Sequence, residues 1–270
     1  QGGVISPLLA NVALHGMEDL LHQRFPERMR DGVRSHRPNL VRYADDLVIL
    51  HADRAVIEQA QTALAEWLQE MGLELKPEKT RIVHTLHADG NTPPGFPFLG
   101  FTIRQFPRGK YRTGTNSKGT PLGFVTHIRP SPESGRDHHR KLRTIIRKHA
   151  AFSQEALISE LNPLIRGWTA YYAAVVSAAA FKRQDAHLVR SLLRWSKRRH
   201  RNSRWRQYWQ PGWEFQAKNS PIKLLWHRDR SIHRHLTAQG TRSPYDGDLV
   251  SWSTRHATPP ERAAALARPL

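Results

Sequence analysis

Apolar residues recur with helical spacing in several segments of the chain, each bounded by residues that favour a helix end. The clearest is segment 54–71, where apolar side chains follow one another three or four positions apart. Asp53 before it is a favourable N-cap, and Gly72 after it is a favourable stop. A Ser-Pro pair opens another apolar segment, so we predict a second helix over residues 6–24.

Short apolar runs elsewhere predict strands. Two of them, 39–44 and 47–51, are separated only by a pair of aspartates, which is typical of a β-hairpin. Further strands are predicted at 81–86 and 98–106, and helices at 136–149, 157–176 and 186–199. We therefore expect an α+β fold, with an antiparallel sheet and packed helices up to about residue 130 and an all-helical part after it.

The distribution of charged residues also changes at about residue 130. Lys and Arg total 42 against 23 Asp and Glu, a formal net charge of +19. Residues 1–130 carry 16 basic and 13 acidic side chains, whereas residues 131–270 carry 26 and 10. An excess of this size argues against an ordinary metabolic enzyme and favours a polyanionic partner, nucleic acid first and an anionic membrane second.

Other compositional features narrow the class of protein. No apolar run approaches the roughly 20 residues that cross a bilayer, so no membrane-spanning segment is predicted. The chain has no cysteine, which excludes disulfides and cysteine-based zinc sites and is compatible with a cytoplasmic protein. Nothing in the sequence indicates the oligomeric state.

The aspartates of the predicted hairpin, Asp45 and Asp46, raise the question of how two adjacent like charges are tolerated. Asp is common in turns, so the pair is compatible with a hairpin turn and nothing more. Alternatively, the two carboxylates hold Mg²⁺ for phosphoryl or nucleotidyl transfer, and the cation offsets their repulsion. The four residues YADD alone leave both interpretations open.

The surrounding blocks resemble the palm of reverse transcriptases. These blocks are QGGVISPLLANVAL at the start, RYADDLVIL, GLELKPEKT and FLGF, in that order. The segment LNPLIRGWTAYYA at 161–173 is similar to the thumb, or maturase, region of group II intron reverse transcriptases, and SPYDGDLVSWS at 243–253 is similar to their segment beyond the thumb. The chain therefore resembles the group II intron reverse transcriptase/maturase family over nearly its whole length.

The resemblance implies a domain order and a function. It implies a reverse-transcriptase palm fragment over 1–130, a helical thumb/maturase domain over 131–210 and a C-terminal extension over 211–270, either DNA-binding or a linker. The implied reaction is Mg²⁺-dependent copying of RNA into DNA, combined with binding of the intron RNA. The implied partners are intron RNA, an RNA template/DNA primer duplex and deoxynucleoside triphosphates, with target DNA left open.

The resemblance also implies roles for individual residues. Asp45 and Asp46 would be the palm metal ligands, and Tyr43 would lie under the primer end or the nucleotide. The remaining contacts to nucleotide, template or primer would come from Gln1, Gly2, Gly3, Lys79, Leu99 and Gly100, the last two as the primer grip. Taken alone, Tyr43 is equally compatible with a packed strand residue, Lys79 with a solvated lysine, and Gly100 with a strand bulge.

The chain departs from the family pattern at its start. The family's third metal carboxylate lies upstream of the QGG block, and we expect this chain to be a C-terminal fragment that does not polymerise alone. A non-catalytic RNA-binding splicing maturase is therefore the alternative function. Longer relatives continue into an endonuclease module that contains cysteine pairs. Because this chain has no cysteine, we assign no DNA-nicking activity to it.

A basic stretch in the second half predicts an RNA-binding surface. It has eight Lys and Arg, no acid, and two tryptophans, Trp195 and Trp205, that could serve as stacking anchors. Its basic residues are Arg190, Arg194, Lys197, Arg198, Arg199, Arg201, Arg204 and Arg206. Trp168, Tyr171 and Tyr172 favour a helix core over RNA contacts. The histidines show no recognised zinc spacing.

Overall fold

The computed structural model describes residues 5–27, 29–30, 33–34, 36–116, 119–200, 203–210, 212, 214–217 and 220–233. Helices and antiparallel strands are both present, which confirms the predicted α+β class. The chain forms two compact units, residues 1–83 and 84–270. The Gln1–Gly3 block and the SPYDGDLVSWS segment lie outside the described residues.

The first unit combines three helices with two short antiparallel ladders. Its elements are α1 (Ser6–Ala13), α2 (Met17–Arg24), β1 (Met29–Arg30), β2 (Val33–Arg34), β3 (Asn39–Tyr43), β4 (Asp46–Leu50) and α3 (Arg54–Glu70). The prediction of one helix over 6–24 is wrong, because a turn at residues 14–16 separates α1 from α2. Gly16 in this turn lies against the Trp67 ring, and an added Cβ would come within 3.2 Å of it.

The core of this unit lies between α2 and α3. Leu21, Leu64 and Leu68 are buried there, and apolar residues of β3 and β4 pack against them. The hairpin prediction is confirmed, with β3 and β4 paired from Asn39↔Leu50 to Tyr43↔Asp46. The predicted helix after Asp53 is also confirmed, since the Asp53 carboxylate accepts a hydrogen bond from the Ala55 backbone N–H as an N-cap does.

The second unit starts with a three-stranded antiparallel sheet, β5 (Phe96–Phe98), β6 (Phe101–Pro107) and β7 (Phe124–Pro130), in the order β5-β6-β7. The single strand predicted over 98–106 is wrong. Leu99 and Gly100 have φ angles of 48° and 77°, so they form a tight turn between β5 and β6. The strand predicted over 81–86 is also wrong, because these residues form no continuous ladder.

Three long helices follow and form the larger core. They are α4 (Pro132–Lys148), α5 (Gln154–Tyr172) and α6 (Ala178–Arg199), and two short strands, β8 (Trp209–Gln210) and β9 (Glu214–Phe215), come after them. Leu142, Leu161 and Leu188 represent the three helices in this core. None of the helices in the described part of the chain is both long and apolar enough to cross a membrane.

Several described residues after α6 belong to the same core. Phe215, Leu224 and Trp226 are buried against the helices. The Asn162 side chain of α5 donates to the Lys223 carbonyl and accepts from the Leu225 backbone N–H, which fixes this segment in place. The proposed domain limits at residues 130 and 210 remain predictions, and the packing of Phe215, Leu224 and Trp226 with α4–α6 crosses the second of them.

Candidate functional site

The Asp45–Asp46 pair lies at the turn of the β3–β4 hairpin. Tyr43 pairs with Asp46 across the ladder, and Ala44 and Asp45 form the two-residue connection. Ala44 has a φ of 53°, a left-handed conformation that lets so short a connection reverse the chain. The Asp45 and Asp46 side chains are exposed, and Tyr43 is 65% exposed. The turn therefore presents two carboxylates and one aromatic ring to solvent.

Arg42 holds this turn without neutralising it. Its Nη1 atom donates to the Ala44 carbonyl at 3.1 Å and to Asn11 Oδ1 of α1, also at 3.1 Å. No hydrogen bond or ion pair to the Asp45 or Asp46 carboxylate occurs among the described residues. Since the nearby guanidinium is used elsewhere, both carboxylates remain available to an external cation.

These carboxylates suit a hard cation such as Mg²⁺, which prefers oxygen ligands and completes its coordination with water and substrate phosphate. The fit is limited to two residues, because no group of three or more His, Cys, Asp or Glu that could hold a metal occurs among the described residues. The chemistry that the turn can supply is therefore that of a partial, open cation site.

The remaining predicted palm residues are divided between the two compact units. Lys79 is exposed beside a turn in which its backbone N–H donates to the Lys76 carbonyl. Leu99 and Gly100 belong to the other compact unit. The predicted contacts of Lys79 with phosphate and of the Leu99–Gly100 turn with primer remain predictions.

The Leu99–Gly100 turn is tied to α5 by two neighbouring tyrosines. Tyr171 Oη donates to the Leu99 carbonyl at 3.0 Å, and Tyr172 Oη donates to the Gly100 carbonyl at 3.0 Å. Ser134 Oγ lies 2.6 Å from Tyr172 Oη and donates to it, because the tyrosine proton is already used. Burial raises the pKa of the Tyr172 hydroxyl, which keeps it a donor. The turn's conformation thus depends on a helix some 70 residues away in sequence.

The helix-core prediction holds for two of the three aromatic residues of α5. Tyr172 is buried, and Trp168 is half-buried, with its ring stacked on His138 at 4.6 Å. Tyr171 is 55% exposed and is therefore not a core residue. Its ring stacks on Phe101 at 5.1 Å, next to the turn that its hydroxyl contacts.

The predicted RNA-binding residues divide into exposed and internal groups. Exposed cationic side chains on α6 and just after it are Arg190, Arg194, Lys197, Arg198, Arg204 and Arg206. Arg199 instead donates to the carbonyls of Ala150 and Phe152 and lies over the Trp195 ring at 4.8 Å. Arg201 lies outside the described residues.

The two tryptophans of this basic stretch also differ. Trp195 is 4% exposed and donates its indole N–H to the His149 carbonyl, so its interpretation as a stacking anchor is wrong. Trp205 is half-buried, with Lys197 and Arg206 over its ring at 5.4 and 5.7 Å. A helix that must bury one face places a tryptophan of that face in the core, whatever charges surround it in sequence.

The seam between α4 and α6 carries a histidine pair among these cations. The rings of His139 and His187 are 4.7 Å apart. Burial, the partner ring and the guanidinium groups of Arg143, Arg190 and Arg194 lower the pKa of His139. At pH 7 the positive charge between α4 and α6 is therefore carried by the arginines, because the two histidines are neutral.

A buried polar chain that the sequence analysis missed links α4, α6 and the segment after β9. His227 Nδ1 donates to Asp185 Oδ1 at 2.7 Å, and His227 Nε2 lies 2.8 Å from His138 Nε2. Asp185 also accepts the backbone N–H groups of His227 and Arg228. Burial and the neighbouring His227 lower the pKa of His138 to about 3. The sequence did hold one indication of this site: Asp185 is the only acidic residue between Glu160 and Glu214, in an otherwise basic stretch.

Comparison with known protein families agrees with the sequence blocks. Residues 1–103 match the reverse transcriptase (RNA-dependent DNA polymerase) family, and residues 136–213 match the group II intron maturase-specific domain. No curated protein matches the chain at a significant level. The first match contains the Asp45–Asp46 turn and the Leu99–Gly100 turn, and the second contains α5 and α6. These two matches, in this order along one chain, show that the protein belongs to the group II intron reverse transcriptase/maturase family.

Proposed function

We propose that Asp45 and Asp46 bind Mg²⁺ for the family's RNA-directed DNA synthesis. The observation that carries this proposal is the exposed carboxylate pair, which has no internal partner among the described residues although Arg42 lies beside it. A bound Mg²⁺ would supply charge neutralisation for a triphosphate and its leaving group. The chain itself supplies the two oxygen ligands, the hairpin that holds them, and the exposed Tyr43 ring on which a base could stack.

Metal binding by the turn can be measured without polymerisation. In an electron paramagnetic resonance titration with Mn²⁺, we expect Asp45→Asn and Asp46→Asn each to weaken binding at least several-fold, because each removes a charged oxygen ligand. Asp19→Asn is the matched control, since Asp19 is an exposed aspartate of α2 in the same unit. Equal Mn²⁺ affinity in all four proteins would contradict the proposal.

Polymerisation by the 270-residue chain is a separate question. We expect little or no extension of a DNA primer on an RNA template, because the described residues bring no third carboxylate to this pair. Extension that disappears in Asp45→Ala would contradict this expectation and would show that the chain assembles a complete metal site.

A second candidate function, binding of intron RNA, is favoured by the exposed cations of α6. Arg190, Arg194, Lys197 and Arg198 recur at positions that share one helix face, and no Asp or Glu among the described residues forms an ion pair with them. Such a surface is suited to contact phosphates. If metal binding fails and RNA binding persists, the chain is the non-catalytic RNA-binding maturase described above.

Filter binding across a range of salt concentrations tests this second function. Removing one phosphate contact should reduce the slope of log K against log salt by about 0.7 to 0.9. We expect Arg190→Gln and Arg194→Gln to reduce both affinity and slope, whereas Arg54→Gln, at a guanidinium already paired with Glu58, should not. Comparing a group II intron RNA with a length-matched control RNA then separates recognition of the intron from a generic phosphate contact.

A further inference from the structure

The β6–β7 hairpin carries basic residues and no acidic ones, and it belongs to neither proposed site. No acidic residue occurs between Asp89 and Glu133. The same stretch holds six basic residues, Arg104, Arg108, Lys110, Arg112, Lys118 and Arg129. A charge run is often only a solvated surface, so the side-chain arrangement must decide whether this one is organised to bind.

One face of the hairpin holds two arginines over a phenylalanine. The guanidinium carbons of Arg104 and Arg129 lie 4.8 and 4.9 Å from the centre of the Phe106 ring. The strand register places Arg104 opposite His127, and Arg129 Nη2 donates to His127 Nδ1 at 2.6 Å. Cation–π contact and hydrogen bonding hold the two guanidinium groups in place, which reduces the entropic cost when they bind an anion.

The hydrogen-bonding capacity of this face is not used up within the protein. Arg104 Nε is buried and has no acceptor among the described residues. No carboxylate in the described part of the chain forms an ion pair with Arg104 or Arg129. A buried donor without an acceptor is unfavourable, so a movement of the Arg104 side chain that brings this donor to an external phosphate oxygen would be favoured.

The connection between β6 and β7 adds an aromatic residue to these charges. Tyr111 is 93% exposed, and the Lys110 ammonium lies 5.9 Å from the centre of its ring. Arg108 and Arg112 are exposed on either side of it in sequence. A ring this exposed contributes almost nothing to the core, but it can stack on an unpaired base while the adjacent cations contact phosphates.

We infer that the β6–β7 hairpin binds a single-stranded segment of RNA, with Tyr111 stacked on a base and the basic residues on the backbone. A single strand fits better than a duplex, because paired bases stack on one another and do not offer their faces to a side chain. The inference goes beyond the proposed function, which concerns the Asp45–Asp46 turn and α6. It requires neither metal binding nor polymerisation.

The test compares a short labelled uridine oligomer with an RNA hairpin of equal charge, using fluorescence anisotropy and the complete chain. We expect Tyr111→Ala to weaken binding of the single strand about 10-fold, the effect of removing one base–aromatic stack, and to change binding of the hairpin less than about 2-fold. Tyr111→Phe keeps the aromatic ring and should bind the single strand as tightly as the natural chain does. Leu122→Ala is the control, because Leu122 is a 43% exposed apolar residue of the same connection.

A crosslinking experiment separates this surface from α6. An oligomer that carries 4-thiouridine should crosslink under ultraviolet light to the peptide that contains Tyr111, and mass spectrometry identifies that peptide. Crosslinks confined to other peptides, or unchanged single-strand affinity in Tyr111→Ala, would overturn the inference. Tyr111-dependent binding to phosphatidylserine vesicles without Tyr111-dependent RNA binding would overturn it in favour of a membrane surface.

Discussion

Low pH should destabilise the second compact unit, residues 84–270, through one buried histidine. His138 is 3% exposed, stacks on Trp168 and contacts His227 Nε2 through its own Nε2. Because the Asp185 carboxylate accepts the proton of His227 Nδ1, the contact between the two Nε2 atoms has room for one proton. Protonating His138 would place a positive charge in this buried site, directly beside His227.

The size of the effect follows from the pKa of His138, which falls from an ordinary 6.5 to about 3 in the folded protein. Between these values the unfolded chain binds a proton that the folded chain does not, so stability is full above pH 6.5 and decreases as the pH falls toward 3. The slope approaches about 1.4 kcal/mol per pH unit, and the decrease between pH 7 and pH 5 is about 2 kcal/mol. For a unit of this size that corresponds to roughly 4 to 8 °C in Tm.

The assay is urea unfolding at pH 7, 6 and 5, followed by tryptophan fluorescence, for the natural chain and for His138→Gln. Glutamine cannot take up a proton, so the variant should be less stable at pH 7 but should lose about 2 kcal/mol less on going to pH 5. His15→Gln is the control, since His15 is an exposed histidine of the other unit. Equal decreases in the natural chain and in His138→Gln would refute the reasoning, because the titrating group would then lie elsewhere.

Three further changes test other parts of the structure by the free energy of unfolding in urea. Gly100→Ala places a Cβ 2.8 Å from Tyr172 Oη at a φ of 77°, and left-handed strain alone should cost about 1–2 kcal/mol. Arg199→Ala removes internal hydrogen bonds and a cation–π contact, so stability should fall by about 2 kcal/mol with little change in RNA affinity. Asp185→Asn should cost about 3 kcal/mol, because His227 loses a buried carboxylate.

Each of these changes has a matched control. Gly109→Ala adds the same methyl group where φ is −66° and no atom lies within 4 Å, so it should be neutral. Arg206→Ala removes an exposed arginine, and its main effect should be on RNA affinity. Asp137→Asn removes a half-buried carboxylate that pairs with Arg140 and should cost less than about 1 kcal/mol. An equal decrease in any variant and its control would contradict the corresponding contact.

The sequence by itself determined the elements whose signals lie in consecutive residues. The β3–β4 hairpin with its aspartate pair, the helix that starts after Asp53, and the order of the family blocks could all be read from short segments. The reason is physical: capping, turn formation and hydrophobic periodicity depend on residues within about one helical turn or one hairpin of each other.

Only the tertiary structure decided which distant groups meet. The Leu99–Gly100 turn is held by tyrosines 72 residues away, and His138 meets His227 across 89 residues. The same packing buried Trp195 in the core and left the nearby Arg194 and Lys197 on the surface. Composition and spacing could not reveal these partners, because the choice among many compatible side chains is made by packing between elements and not by the local chain.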